Sequence, residues 1–290
     1  MTASHAIELV SVFAAGPGGG NPAPVVLDAA DMSGDQMRAI AKTYGHESVF
    51  VLPPPDAAGD FRFRFFVPNH EMEMCGHATV GAVWLLGQLG RLPQGEIRIA
   101  TLSGIVRARF AQTGVEISQP KGRLDPLPDK EQSIAEILSV LGIDRTVLAA
   151  GPIWNASTSR VKTLIPLKSV AILDGLSPDF GKMERLCEKI GSTGLYPFAV
   201  SDAEGGVFDA RQFPKSSGYP EDAATGIAAA ALAFGLLEMG LVSAGTPSVR
   251  VRQGRAMGRP SEIRVRFQVD SAGTVQGCWL GGEVRYETNQ

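Results

Sequence analysis

The stretches Cys75–Leu89, CGHATVGAVWLLGQL, and Asp222–Leu241, DAATGIAAAALAFGLLEMGL, decide how this chain folds. From Gly76 to Leu89 there is no Asp, Glu, Lys or Arg, and from Gly226 to Leu241 the sole charged residue is Glu238. Both runs have helical length and are rich in Ala and Gly. A helix without a polar face must be surrounded by protein, and small side chains let neighbours approach on every side. Helical pattern alone leaves two readings open: ordinary core helices, or helices each enclosed by a curled sheet.

An internal repeat favours the enclosed helices. The first helix follows a strand with Arg64, then Phe66, Pro68, Glu71 and CGHAT. The second follows a strand with Arg211, then Phe213, Pro214, Glu221, Asp222 and AATG. About half the chain separates the copies, and each half also carries a capped helix followed by a strand. Two copies of one α/β unit are the expected architecture. The Pro-rich, polar stretch Gln119–Pro128 marks the boundary, giving halves of residues 1–121 and 122–290. A terminal strand near 277–290 is expected to complete the first half. The expected fold class is α+β: two similar halves, each with a central apolar helix enclosed by a curled sheet.

Gly and Pro punctuate the rest into short elements. Strands are expected at Ile7–Phe13, Ala23–Leu27, Ser48–Leu52, Phe61–Val67, Glu96–Ala100, Ile105–Phe110 and Val115–Ser118. The second half adds Val161–Leu167, Tyr196–Ser201, Val207–Phe213, Ser248–Gln253, Glu262–Val269 and Thr274–Leu280. A helix over Gly34–Tyr44 has Ser33 as N-cap, Gln36 to complete a capping box and Gly45 as its stop. Ile134–Leu141 with Ser133 as cap, and Pro178–Ile190 with Ser177 as cap, are the other amphipathic helices.

Composition excludes several classes. The chain has 290 residues, 44% hydrophobic and 20% charged, which rules out wholesale disorder, and its net charge of −3 argues against binding nucleic acid through overall positive charge. The arginines from Arg250 to Arg266 have the even spacing of solvated strand faces rather than of a nucleic-acid interface. No run reaches the ~20 apolar residues of a membrane span. No basic segment followed by a long apolar run opens the chain, so no signal peptide is expected. Three widely spaced cysteines, Cys75, Cys187 and Cys278, read as reduced thiols, so a cytoplasmic protein is expected. No phosphate loop follows a strand, so no nucleotide cofactor is expected. His70, Glu71, Glu73, Cys75 and His77 crowd together but match no common zinc spacing, so no metal is expected.

The chemistry is expected at the starts of the two apolar helices. Each start offers backbone N–H groups and about half a positive charge, enough together to bind a substrate carboxylate. Gly76 and Gly226 let a ligand come close to the backbone. His77 lies in the first turn of one helix and Asp222 just before the other, where an N-cap is its simplest role. Glu47 opens an apolar strand. Cys75 at a helix start could serve as a base, but the second copy has Asp222 where a paired-thiol racemase would carry a cysteine.

Taken together, these pieces resemble the phenazine-biosynthesis PhzF-like family, relatives of diaminopimelate epimerase and proline racemase. The resemblance rests on Gly20-Asn21-Pro22, Glu47-Ser48-Val49-Phe50-Val51, Phe66-Val67-Pro68 with Glu71, and Cys75-Gly76-His77-Ala78-Thr79. It continues through Glu221-Asp222-Ala223-Ala224-Thr225-Gly226, Gln253-Gly254 and Met257-Gly258-Arg259-Pro260-Ser261. It implies that each sheet is mixed, that the active site lies in the cleft between the halves, and that Glu47 moves a proton while His77 and Asp222 hold the substrate. It gives Asn21, Cys75, Gly76, Ala78, Thr225, Gly226 and Ile227 as substrate-binding candidates. Ile227 stands where the family often has serine, which removes a hydroxyl from the expected pocket. The expected function is a cofactor-independent isomerase of a small carboxylated, amino-acid-like substrate, assembled as a homodimer. An epimerase using Cys75 with Asp222 or Glu47, and a non-catalytic metabolite-binding relative, are the competing readings.

Overall fold

The computed structural model describes residues 5–56, 59–111 and 114–287. The chain divides into two compact units: Met1–Ser118 with Gly281–Gln290, and Gln119–Leu280.

The first unit runs β1 (Glu8–Val12), β2 (Asn21–Val26), α1 (Gly34–Tyr44), β3 (Ser48–Leu52), β4 (Phe61–Phe66), β5 (Glu71–Met72), α2 (Gly76–Gln88), β6 (Ile97–Thr101), β7 (Gly104–Ala111) and β8 (Gly114–Pro120). α1 forms where the sequence places it. Ser33 accepts from the Gln36 amide, the Gln36 side chain accepts from the Ser33 amide, and Gly45 closes the helix at φ 68°. Its Met37 and Ala41 pack with Phe50 and Phe66 on the sheet. The α1 crossover makes β2 and β3 parallel (Val25 opposite Val49), β3 and β4 are antiparallel, and β4 runs parallel to β6. β18 (Val284–Tyr286) returns to pair with β1, Val10 opposite Tyr286.

α2 is buried on nearly every side and packs against β1, β2, β3 and β18. A Cβ at its Gly87 would also strike the Phe110 ring on β7, so strands from both sides of the sheet reach the helix. Gly81 makes that enclosure possible, because a Cβ there would lie 2.8 Å from Val10 Cγ2 and 3.0 Å from Val12 Cγ2. Gly81→Val is therefore expected to lower stability by roughly 1–3 kcal/mol through overpacking. The check is urea unfolding, where the midpoint should fall with the slope unchanged.

The second unit runs β9 (Arg123–Pro126), α3 (Lys130–Leu141), β10 (Trp154–Ser157), β11 (Val161–Leu167), α4 (Val170–Asp174), α5 (Phe180–Lys189), β12 (Gly194–Asp202), β13 (Val207–Ala210), β14 (Phe213–Pro214), α6 (Gly226–Glu238), β15 (Val249–Gln253), β16 (Ser261–Val269) and β17 (Val275–Gly281). Its connections follow the same order as the first: β11 and β12 are parallel across helices, β12 and β13 antiparallel, β13 and β15 parallel around α6, and β15 and β16 antiparallel. α6 touches β9, β10 and β11 near one end of that order and β16 near the other, so the sheet curls around it. α3 and α5 pack Ile137, Leu141, Met183 and Leu186 with Ile165 and Leu195 of the sheet.

Three local expectations need correction. α5 is capped by Asp179, not Ser177: the Asp179 amide donates to Val140 O at 2.7 Å, and its carboxylate accepts from the Gly181 amide at 3.1 Å. α3 begins at Lys130, and Ser133 is already inside its first turn, donating its hydroxyl to Pro128 O. Val207–Phe213 is two strands, because Pro197 on β12 has no N–H to return to Arg211, whose own amide donates to Pro197 O. The stretch Gln119–Pro128, where the boundary is expected, holds the end of β8 and all of β9.

Candidate active site

Three candidate residues of the first unit come together. α1 ends at Gly45 and the chain enters β3 at Ser48, which sets Glu47 at the mouth of that strand. β5 leads into α2, whose N-cap is Cys75 and whose second residue is His77. The Cys75 thiol donates to Glu47 Oε2 at 3.2 Å and lies 3.4 Å from His77 Nδ1, while His77 Nδ1 is 3.3 Å from the same Glu47 oxygen. Cys75 and His77 are each 4% exposed, and the Glu47 side chain 14%. One carboxylate oxygen thus meets a thiol and an imidazole, three side chains of the kinds that can exchange protons. The same three ligand atoms lie within 4.8 Å of one another, the only such grouping of ligand side chains among the described residues.

A second cluster lies at the start of α6. Asp222 is not the N-cap. That position belongs to Thr225, whose side chain makes no capping bond and instead donates its hydroxyl to Asp222 Oδ2. Gln253 holds the turn: its Nε2 donates to Asp222 O at 2.6 Å, and its Oε1 accepts from the Thr225 amide at 3.3 Å and from Tyr196 OH at 2.9 Å. Burial, reinforced by the Asp222 charge, raises the Tyr196 hydroxyl well above its ordinary range, so it stays a donor. Gly254 must be glycine, since at φ 77° a Cβ would meet the carbonyls of Arg259 and Ala223. Neither α2 nor α6 has an acidic residue in its first turn or a side-chain cap. Both starts therefore keep the positive end of the helix dipole for an anion.

The remaining candidates are placed by their elements. Asn21 opens β2 opposite Val12, Gly76 and Ala78 lie in the first turn of α2, and Gly226 and buried Ile227 open α6. Cys187 and Cys278 are pushed by burial to about 11 and about 12, which keeps both protonated near neutral pH.

The sequence reading gave no role to the arginines of the repeat. Arg64 grips Glu71 through two hydrogen bonds of 2.7 Å and stacks over Phe66 at 5.0 Å. Arg211 grips Glu221 at 2.9 and 2.7 Å and stacks over Phe213 at 4.9 Å. Each fork fixes the segment leading into a central helix, just ahead of Cys75 in one unit and Asp222 in the other. The Arg64 hydrogen bonds hold the Glu71 carboxyl below its ordinary 4.5. Stability from that shift is complete above the unfolded value and is lost as pH falls below it through the folded value. Glu71→Gln should therefore cost stability at neutral pH, with a gap from wild type that narrows in urea melts as pH drops below about 4.5.

A family described as phenazine biosynthesis-like protein matches residues 10–283. The chain belongs to that family. An uncharacterized isomerase of Deinococcus radiodurans is 34% identical over 283 residues, covering 94% of this chain and 90% of that one. The trans-2,3-dihydro-3-hydroxyanthranilate isomerase of Pseudomonas aeruginosa is 31% identical, covering 91% of each chain. A solved Pseudomonas aeruginosa structure, described as a predicted epimerase, aligns with a TM-score of 0.82 at 27% identity over 98% of both chains. With the PhzF-like family goes the reaction class: this chain is an enzyme, an isomerase. Its fold is the α+β fold of that family, and no helix among the described residues is long and apolar enough to cross a membrane.

Proposed function

We propose that this isomerase moves a proton between carbons of a small, amino-acid-like carboxylate, with Glu47 as the single general acid/base and no cofactor. The observation that carries the reading is the contact of one Glu47 oxygen with both the Cys75 thiol and the His77 imidazole. Glu47 takes the proton from the activated carbon and returns it on the same face. A shift of this kind suits one base, whereas inversion wants two on opposite faces. Cys75 acts as a donor that holds Glu47, and His77 and Asp222 orient the substrate. The uncapped start of α2, beside Glu47 and His77, supplies N–H groups for its carboxylate.

The Pseudomonas relative's name points to a cyclic amino acid as the substrate class. Ile227 points to a substrate with an apolar edge where a serine would have met a polar one. The proposal extends to a homodimer in the cytoplasm, where three buried cysteines, none of them in a disulfide, fit a reducing compartment.

The test is a screen of small cyclic and linear amino acids in D2O. Metal-free protein kept in a chelator should exchange a carbon-bound hydrogen of at least one of them. Binding without exchange across the panel would favour a non-catalytic role instead.

A further inference from the structure

We infer that Glu47, Cys75 and His77 form a binding site for a thiophilic divalent cation of the zinc class, and that occupancy switches the enzyme off. The inhibitory half rests on Glu47 being the base; the binding half does not. Sequence spacing gave no metal site, because the three ligands come from two segments: Glu47 from the mouth of β3, and Cys75 and His77 from the start of α2.

The geometry is already that of a tetrahedral face. Bond lengths of about 2.3 Å to sulfur and about 2.0–2.2 Å to nitrogen and oxygen put tetrahedral nitrogen and oxygen ligands roughly 3.3–3.6 Å apart and pairs with sulfur roughly 3.5–3.7 Å apart. The observed separations are 3.2 Å (Sγ to Oε2), 3.4 Å (Sγ to Nδ1) and 3.3 Å (Nδ1 to Oε2). An ion needs only a few tenths of an ångström of expansion to enter. The set offers one ligand atom from each residue.

The chemistry also selects the ion. A thiolate with an imidazole and a carboxylate favours zinc over magnesium or calcium, which prefer oxygen alone. On binding, the Cys75 thiol loses its proton to solvent, and the thiolate and carboxylate together balance a charge of two. Three protein ligands leave a fourth position for water or for a substrate carboxylate. The oxygen that would bind the ion is the Glu47 oxygen that contacts the thiol and the imidazole, and the ion's charge takes the carboxylate's basicity away, so a loaded site is a poor base. The metal-free chain is the active form.

The test titrates the metal-free chain with Zn2+ and Mg2+ against a chromophoric chelator, then with Co2+ as a spectroscopic probe. The expected result is saturable uptake of a single Zn2+, no Mg2+ uptake, and a thiolate-to-cobalt charge-transfer band. Cys75→Ser keeps size and hydrogen bonding but loses the soft ligand. It should weaken Zn2+ more than about 100-fold, beyond the roughly 10–100-fold cost of disturbing a supporting group. Cys278→Ser should bind as wild type does. No saturable Zn2+ uptake, no thiolate band in the wild type, or undiminished uptake by Cys75→Ser would overturn the site; the band needs no variant to fold. Zn2+ should also stop deuterium exchange, and chelator should restore it. Uptake with exchange unaffected would overturn the switch alone. Uptake by a chain that never exchanges would leave the site standing and remove the isomerase mechanism instead.

Discussion

Glu47→Gln is expected to lower turnover by about 10²–10⁴-fold while substrate binding changes little. Glutamine keeps the shape of the side chain and still accepts from the Cys75 thiol, so the contact at the mouth of β3 survives. It cannot take up a proton at neutral pH. The lost quantity is then the proton transfer and not the pocket, which is the pattern of a fallen kcat with a steady KM. His77→Ala and Asp222→Ala should behave differently, since they remove groups that orient the substrate, and both binding and turnover should weaken. Steady-state kinetics on the substrate found in D2O, paired with calorimetric binding to the Glu47→Gln protein, separates the two patterns.

Arg211→Ala is expected to be the most damaging substitution for stability. The Arg211 and Glu221 side chains are 10% and 9% exposed, so removing the guanidinium strands a buried carboxylate. Breaking a buried pair from one side costs about 3–5 kcal/mol. The guanidinium also donates to the carbonyls of Leu173, Asp174 and Leu176 at 3.1, 3.1 and 2.9 Å, which then lose their donor. For a unit of this size the melting temperature should fall by roughly 6–20 °C. Arg64→Ala should cost less, because Arg64 and Glu71 are 21% and 26% exposed and water can replace part of what is lost. Because Asp222 follows Glu221 directly, Arg211→Ala should also impair activity at temperatures where the protein remains folded. Thermal melts of the two variants side by side check the ranking, and equal small shifts would contradict it.

Much of the fold was legible because local chemistry and tertiary demand agree. Ser33, Gln36 and Gly45 delimit α1 as their capping chemistry requires, and the charge-free runs after Cys75 and Thr225 are the buried helices α2 and α6. The misplaced boundaries share one cause, a tertiary partner that the sequence does not name. Ser133 turns its hydroxyl to Pro128, Asp179 is tied to the end of α3, and Pro197 breaks the ladder opposite Arg211. At the candidate site, Glu47, Cys75 and His77 were each legible as residues, but their meeting on one oxygen depends on how β3 lies beside the start of α2. Gln253 was visible within a motif, and its double hold on Asp222 and Thr225 was not. Tyr196 carried no signal at all, since an aromatic in an apolar strand reads as core until its hydroxyl is seen against Gln253.

The most direct test of the central claim is solvent-deuterium exchange into the substrate, measured for wild type, Glu47→Gln and Cys75→Ser under chelator. A single carboxylate base held by a thiol donor predicts exchange by wild type, substantial exchange by Cys75→Ser, where a hydroxyl can still donate to Glu47, and almost none by Glu47→Gln. Exchange at the wild-type rate by Glu47→Gln together with its loss in Cys75→Ser would contradict the account, make Cys75 the base and turn the enzyme into an epimerase.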